Sequence, residues 1–217
     1  MAHAITLPSP LVDSEWLSQN HDKVAILDVR KDLDSFVEIG HIANALLVNV
    51  KKIRINRTID GIELTRMRPD SASFEDFMST QGINNDAAVV ITHQGINPGN
   101  VAGAARLYWH MKYHGFDNIA LLDGGNAAWV AALEELVDNK TQAGNSVFNA
   151  GVERGEILAT ISEVKSAMMD KQITLVDTRD LRQHIGIKKK NYVYEFGHIP
   201  SSKSFPYKLL LPYKKTN

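Results

Sequence analysis

The chain contains no cysteine. That absence excludes a disulfide framework, a thiolate nucleophile and any zinc site built on thiolates. It bears only weakly on compartment, because a chain without thiols forms no disulfides anywhere. No segment reaches the roughly 18 apolar residues of a membrane span. The opening MAHAITLPSP also lacks the basic segment and long apolar core of a secretory signal. A cytoplasmic protein with no membrane association is the expectation. Neither sign of charge dominates: 24 Lys and Arg stand against 25 Asp and Glu, a formal net charge of −1. Such a balance gives no general reason to expect a polyanionic partner, so nucleic acid is not expected. The longest basic run, Lys188 to Lys190, reads as a solvated loop.

With 44% hydrophobic and 23% charged residues among 217, there is enough apolar material for a packed core and no compositional sign of general disorder. Leu11, Val12, Trp16 and Leu17 fall near a helical period, with Asp13 or Ser14 available to cap, so a short helix ending near Asn20 is expected. Apolar runs at Val24–Leu27, Ala45–Val50, Ala87–Thr92 and Ile119–Leu122 have the length and continuity of strands covered on both faces. Between them lie helical stretches at Phe74–Thr80, at Val101–His114 and around Trp129 and Leu133. The polar stretch from Lys51 to Ser73 reads as a long surface loop. Strands alternating with helices imply an α/β layer structure with a mainly parallel sheet.

A repeat is visible. Leu27-Asp28-Val29-Arg30 followed by Gly40-His41-Ile42 returns as Val176-Asp177-Thr178-Arg179 followed by Gly197-His198-Ile199-Pro200. The later copy continues with a helix at Ile161–Met169 ahead of a strand at Ile173–Val176, and nothing in it matches the first copy from Ala87 onward. Residues 137–156, polar and Gly-containing, read as a linker between a first domain at 1–136 and an incomplete second one at 157–217.

The Asp-Val-Arg strand end, the Gly-His-Ile turn, the glycine-containing turn before a long helix, and Leu121-Leu122-Asp123-Gly124-Gly125 with Trp129 resemble the rhodanese domain. Their repetition resembles the tandem thiosulfate and 3-mercaptopyruvate sulfurtransferases. The resemblance implies a three-layer α/β domain of noncatalytic type with a mainly parallel central sheet, followed by the N-terminal part of a second such domain. It implies a reaction in which sulfane sulfur passes from a small anionic donor to a cysteine, and from the persulfide to cyanide or a thiol, with no cofactor. That cysteine stands at a helix N-terminus, where backbone N–H groups and the helix dipole favour negative charge. Here the corresponding first-copy loop is His93, Gln94, Gly95, Ile96, Asn97, Pro98, Gly99, and His93 stands near the cysteine's place. An imidazole can accept a proton but cannot form a persulfide, so the loop is expected to be a relic. The family's substrate-side Asp at the strand end is matched by Asp177. Its Arg six positions later is replaced by Gln183, with Arg182 beside it, which forfeits the guanidinium fork for an anion.

The remaining candidates have plainer readings. Asp28 with Arg30, and Asp177 with Arg179, are expected to make structural ion pairs. His41 and His198 are expected to hold turns, and the three tryptophans to be core. His110 and His114 have the spacing of a metal pair on a helix but no third ligand and no H-E-x-x-H pattern. Two rival readings stand beside a catalytically inactive sulfurtransferase: a noncatalytic module binding a partner protein or small anion, and a fragment of a truncated gene. A second domain lacking its later helices should leave Leu209, Leu210 and Leu211 uncovered.

Overall fold

The computed structural model describes residues 5–210. It divides into unit 1, Met1–Arg154, and unit 2, Gly155–Asn217. Unit 1 runs β1 (Leu11–Val12), α1 (Ser14–Asn20), β2 (Ala25–Arg30), α2 (Ser35–Glu38), β3 (Leu46–Asn49), β4 (Ile55–Ile59), β5 (Ile62–Met67), α3 (Ser71–Thr80), β6 (Val89–Thr92), α4 (Pro98–Tyr113), β7 (Ile119–Leu122) and α5 (Gly125–Ala131). Five strands form one parallel sheet in the order β1-β7-β6-β2-β3.

Alternation along each strand sends side chains to two cores. Leu27, Val29, Val89 and Ile91 meet Ala104, Leu107 and Met111 of α4 and Phe74 and Met78 of α3. Ile26, Val90, Ala120 and Leu122 meet Leu17 of α1, Phe36 of α2 and Trp129 of α5. Both faces of the sheet are therefore covered, which is why its strands read as continuous apolar runs.

The structure departs from the sequence expectations in four places. Leu11 and Val12 are strand rather than helix, because they pair with β7: the Leu121 and Asp123 N–H groups donate to Pro10 and Val12 carbonyls at 2.9 Å each. Helix α1 starts only after Asp13, whose carboxylate accepts from the Trp16 N–H at 2.8 Å. The expected loop at 51–73 contains the antiparallel hairpin β4–β5. It closes on Asp60 and Gly61 at φ 51° and 76°, the two positive values a tight hairpin turn demands. Leu133 lies outside α5, at φ 64° and 94% exposed.

The fourth departure is the segment read as a linker, most of which is built into unit 1. The Val137 N–H and carbonyl bond reciprocally with His41 at 2.8 and 2.9 Å. Ser146 Oγ donates to the Ile83 carbonyl at 2.8 Å, and Asn149 and Asn85 exchange hydrogen bonds at 2.9 and 2.6 Å. Phe148 is only 2% exposed, packed among Phe74 and Phe116. The strap ends where Glu153 accepts from Tyr113 Oη at 2.7 Å and from Ser71 Oγ at 3.1 Å, and where Arg154 meets Asp117. Its polarity is real, but the polar groups are spent on unit 1.

Unit 2 holds α6 (Ile161–Ala167), β8 (Val176–Asp177), α7 (Leu181–His184) and β9 (Lys203–Ser204). Thr160 and Glu163 form a capping box at the start of α6. Strand β8 pairs in parallel with β9, giving a two-stranded sheet. Lys189 of the three-lysine run donates to the Val193 and Tyr194 carbonyls at 2.9 Å each, so it organises its own loop. Leu209 and Leu210 are 72% and 65% exposed, and Leu211 lies outside the described residues. Among the described residues no helix is long and apolar enough to cross a membrane.

Backbone that is hydrogen bonded and packed resists proteases, because cleavage requires local opening. Limited proteolysis is expected to cut beyond Arg154 and to leave a fragment retaining Phe148 and Glu153. Early cleavage between Val137 and Phe148, located by mass mapping, would contradict this.

Candidate functional site

The loop from β6 to α4 is held in place by a buried polar cluster beneath it. Arg30 and Asp28, both essentially unexposed, form a two-pronged ion pair: Arg30 Nε to Asp28 Oδ1 at 3.0 Å and Nη2 to Oδ2 at 2.7 Å. The same guanidinium donates to the Gly40 carbonyl at 2.7 Å, to Ser35 Oγ at 3.2 Å and to the Ser35 carbonyl. Asn126 at the start of α5 donates to Asp28 Oδ2 at 2.8 Å and accepts from Thr92 Oγ1 at 2.7 Å. The Asn126 N–H donates to the His93 carbonyl at 2.7 Å. His93 thus leaves β6 in a direction fixed by the ion pair at the end of the neighbouring strand β2.

The five loop residues singled out from the sequence come together. His93 is 3% exposed, and its Nδ1 has no hydrogen-bond partner. Burial pushes its pKa down, only partly offset by the carboxylates of Asp28 and Asp123. The ring lies against Gly125, where an added Cβ would stand 2.6 Å from Nδ1 and 2.3 Å from the His93 carbonyl. Gly95, at φ 78°, is pressed onto the Gly124 carbonyl, with 2.3 Å available for a Cβ. Gln94 Oε1 accepts from Asn100 Nδ2 at 3.3 Å. Asn97 caps α4, its Oδ1 accepting from the Gly99 and Asn100 N–H groups at 2.8 and 3.1 Å. These two N–H groups are among those an anion at a helix N-terminus would use. The chain's own carboxamide already occupies them.

Asp177 and Gln183 lie in unit 2. There part of the first unit's cluster returns, with one exchange. Arg179 grips Asp177 through Nε at 2.8 Å and Nη2 at 2.6 Å and donates to the Gly197 carbonyl at 2.8 Å, as Arg30 does to Gly40. Phe36 stacks on His41 at 3.6 Å and accepts from His41 Nδ1 through its carbonyl at 2.9 Å. In unit 2 His184 plays that part: it stacks on His198 at 3.8 Å, and its carbonyl contacts His198 Nδ1 at 2.7 Å. His184 Nδ1 also lies 3.1 Å from Asp177 Oδ2. The Arg179 guanidinium, foremost, holds the Asp177 carboxyl well below the usual carboxylate range. Gln183, 8% exposed on α7, carries no charge. Sequence reading missed His184, whose separation from the Asp-x-Arg motif is one residue shorter than that of Phe36, and Asn126, which no motif marks.

His110 and His114 point into the core of unit 1 against Phe74, at centroid separations of 6.3 and 4.4 Å. His110 Nε2 accepts from Arg106 Nε at 3.2 Å.

Comparison with known proteins fits this geometry. The Rhodanese family, the rhodanese-like domain, matches residues 13–132. The chain belongs to the rhodanese family. It is 26% identical over 244 aligned positions to thiosulfate/3-mercaptopyruvate sulfurtransferase 2 of Arabidopsis thaliana, covering 98% of this chain and 68% of that protein. A putative thiosulfate sulfurtransferase of Saccharopolyspora erythraea is 29% identical, with 91% of this chain and 68% of that one aligned. Among solved structures, the 3-mercaptopyruvate sulfotransferase SseA of Escherichia coli superposes with a TM-score of 0.78 at 21% identity, over 94% of this chain and 77% of that one. The last similarity establishes the fold.

Two outcomes are expected. Asp28→Ala leaves Arg30 charged and uncompensated in the core and should cost about 3–5 kcal/mol in denaturant unfolding. Asp177→Ala should cost less, because the Arg179 side chain is 36% exposed and water screens it. The second outcome concerns pH. Burial, reinforced by Arg106 and other nearby cations, pushes the His110 pKa from its ordinary 6.5 to about 3, and burial lowers that of His114. The unfolded chain then binds more protons than the folded one between about pH 6.5 and 3, so stability present above 6.5 is lost as pH falls through that window. Denaturation midpoints should drop from pH 7.5 to pH 5, and His110→Phe should flatten the slope. An unchanged slope would show that His110 is not responsible.

Proposed function

We propose that residues 1–217 supply the noncatalytic rhodanese unit, together with the opening elements of a second, of a protein of the sulfurtransferase type, and that they do not turn over by themselves. The observation that carries this is the α4 entrance: an imidazole where a sulfur acceptor would be needed, backed by Gly125 and capped by Asn97. With no cysteine in the sequence, no side chain here can take up sulfane sulfur as a persulfide. A thiol to carry sulfur has to come from outside these residues.

In that reading the donor is a small sulfur anion such as thiosulfate or 3-mercaptopyruvate, and Asp177 and Gln183 are remnants of the donor-binding side. Asp177 is committed to Arg179 and His184. Gln183 offers a carboxamide in place of a cation, too weak a hold for an anion competing with water. The rival in which the start of α4 binds a small anion is opposed by Asn97, which would have to swing away and give up two hydrogen bonds first.

Purified protein given thiosulfate and cyanide is expected to produce no thiocyanate above buffer, and given 3-mercaptopyruvate and a thiol, no pyruvate. Its intact mass should be unchanged after exposure to either donor. Turnover, or a mass gain of one sulfur atom, would refute the reading.

A further inference from the structure

Unit 2 contains a cleft of about 190 Å³ at the end of its sheet where β8 and β9 begin. Asp170, Lys171, Thr174, Ser201 and Lys203 line it, together with the apolar Met168 and Ile173. Both lysines are exposed, and neither side chain has a hydrogen-bond or ion-pair partner among the described residues. The one carboxylate in the wall is already engaged: Asp170 Oδ1 accepts from the Gln172 N–H at 2.8 Å.

The duplicated motif separates what the fold requires here from what it does not. Asp177 corresponds to Asp28, and the strand registers, Leu27 with Leu46 and Val176 with Lys203, set Lys203 at the place of Leu46. Counting back along each copy sets Lys171 at the place of Asp22, Thr174 at that of Ala25 and Ser201 at that of Asn44. The backbone is kept, since Asn44 and Ser201 turn at φ 65° and 67°. The side chains are not. Ala25 and Leu46 pack against the core of unit 1, whereas unit 2 has a hydroxyl and an ammonium at those positions. Asp22 has been exchanged for a cation. An ammonium is costly to bury under apolar cover, so this corner of unit 2 is suited to polar contacts instead.

We propose that this cleft binds a small phosphate-type oxyanion, with Lys171 and Lys203 supplying charge and Thr174 and Ser201 supplying hydroxyl donors. An oxyanion offers several acceptors around one centre, which two ammoniums and two hydroxyls can use together. Met168 and Ile173 give the cleft an apolar side on which a small carbon substituent can rest, so the oxyanion can be the free ion or the head of a monoester. The cations are exposed to water, which keeps the affinity in the millimolar range. This inference is independent of the reading of the α4 entrance, which lies in unit 1.

The test is a titration of the whole ¹⁵N-labelled chain at constant ionic strength, followed by amide NMR shifts, with inorganic phosphate and phenyl phosphate in parallel. Saturable shifts are expected at Lys171, Thr174, Ser201 and Lys203 and not at Lys188 or Lys190. Tighter binding of phenyl phosphate would assign the cleft to a monoester, and equal binding to the free ion. Lys171→Asp with Lys203→Leu, which carries unit 1's own residues, should weaken binding ~tenfold or more with the thermal midpoint retained. Lys171→Asp alone lies outside the strands and should show a smaller loss, which keeps the test sound if the double variant disturbs β9. Shifts that rise linearly without saturating, or equal affinity in Lys171→Asp, would overturn the proposal. Shifts centred on Gly99 and Asn100 would overturn it as well, because the anion would then sit at α4.

Discussion

A carboxylate and a guanidinium two residues apart on β2 determine the geometry of unit 1 around its candidate site. Asp28 and Arg30, two positions apart on β2, share a face of the strand and reach each other at its end, where the backbone leaves the sheet. Neither is exposed, and removing two charges from water costs several kcal/mol unless every remaining donor and acceptor finds a partner. Those partners are what shape the fold: Ser35 on α2, Gly40 in the turn before β3, and Asn126 on α5. The charge pair ties three segments on one side of the sheet to the end of β2. Through Asn126 it also sets Thr92 and the His93 carbonyl, the last fixed points before the loop into α4.

Unit 2 repeats this device with less around it. Arg179 again spans a carboxylate and a glycine carbonyl, but its side chain is 36% exposed where that of Arg30 is 0%. In unit 1, β2 is flanked by β3 and β6, and its side chains are covered by helices on both faces. In unit 2 the corresponding β8 has β9 beside it and Val176 half exposed. The same local motif forms in both settings, so the Asp-x-Arg and Gly-His turn is specified locally. What differs is the burial that converts a local turn into a rigid support.

This explains what could be read from sequence. The parallel strands other than β1 were legible because cover on both faces makes them continuously apolar, and the duplicated motif was legible because its polar residues sit at fixed spacing. The β4–β5 hairpin was misread as loop, although Asp60-Gly61 between two isoleucines is a turn signal; its strands mix Arg, Asn and Thr because a face of the ribbon is open. The strap after Val137 looked like a linker because hydrophobicity does not distinguish a chain that donates to water from one that donates to Ser79, Asn85 and His114 partners on its own domain. Phe148 was the one aromatic hint. Of the site, the five loop residues were found by position, but their chemistry was not: that Asn97 caps Gly99 and Asn100 is a matter of where a side chain turns, and Asn126 is ordinary in sequence.

The α4 entrance shows how a helix terminus can be satisfied from within the chain. A helix N-terminus leaves N–H groups without internal partners, and something must satisfy them: an anion, water or a side chain. A bound anion or a thiolate would need those groups free and accessible. Once Asn97 takes two of them, the loop is stable without ligand, and Gly95 and Gly124 can close over it with no room even for a methyl group. His93 beneath is then favoured as a neutral ring, since burial opposes its charge more than Asp28 and Asp123 support it. Each of these features makes the others cheaper to keep, so placing a single nucleophile at position 93 would not by itself open the helix terminus that such a nucleophile requires.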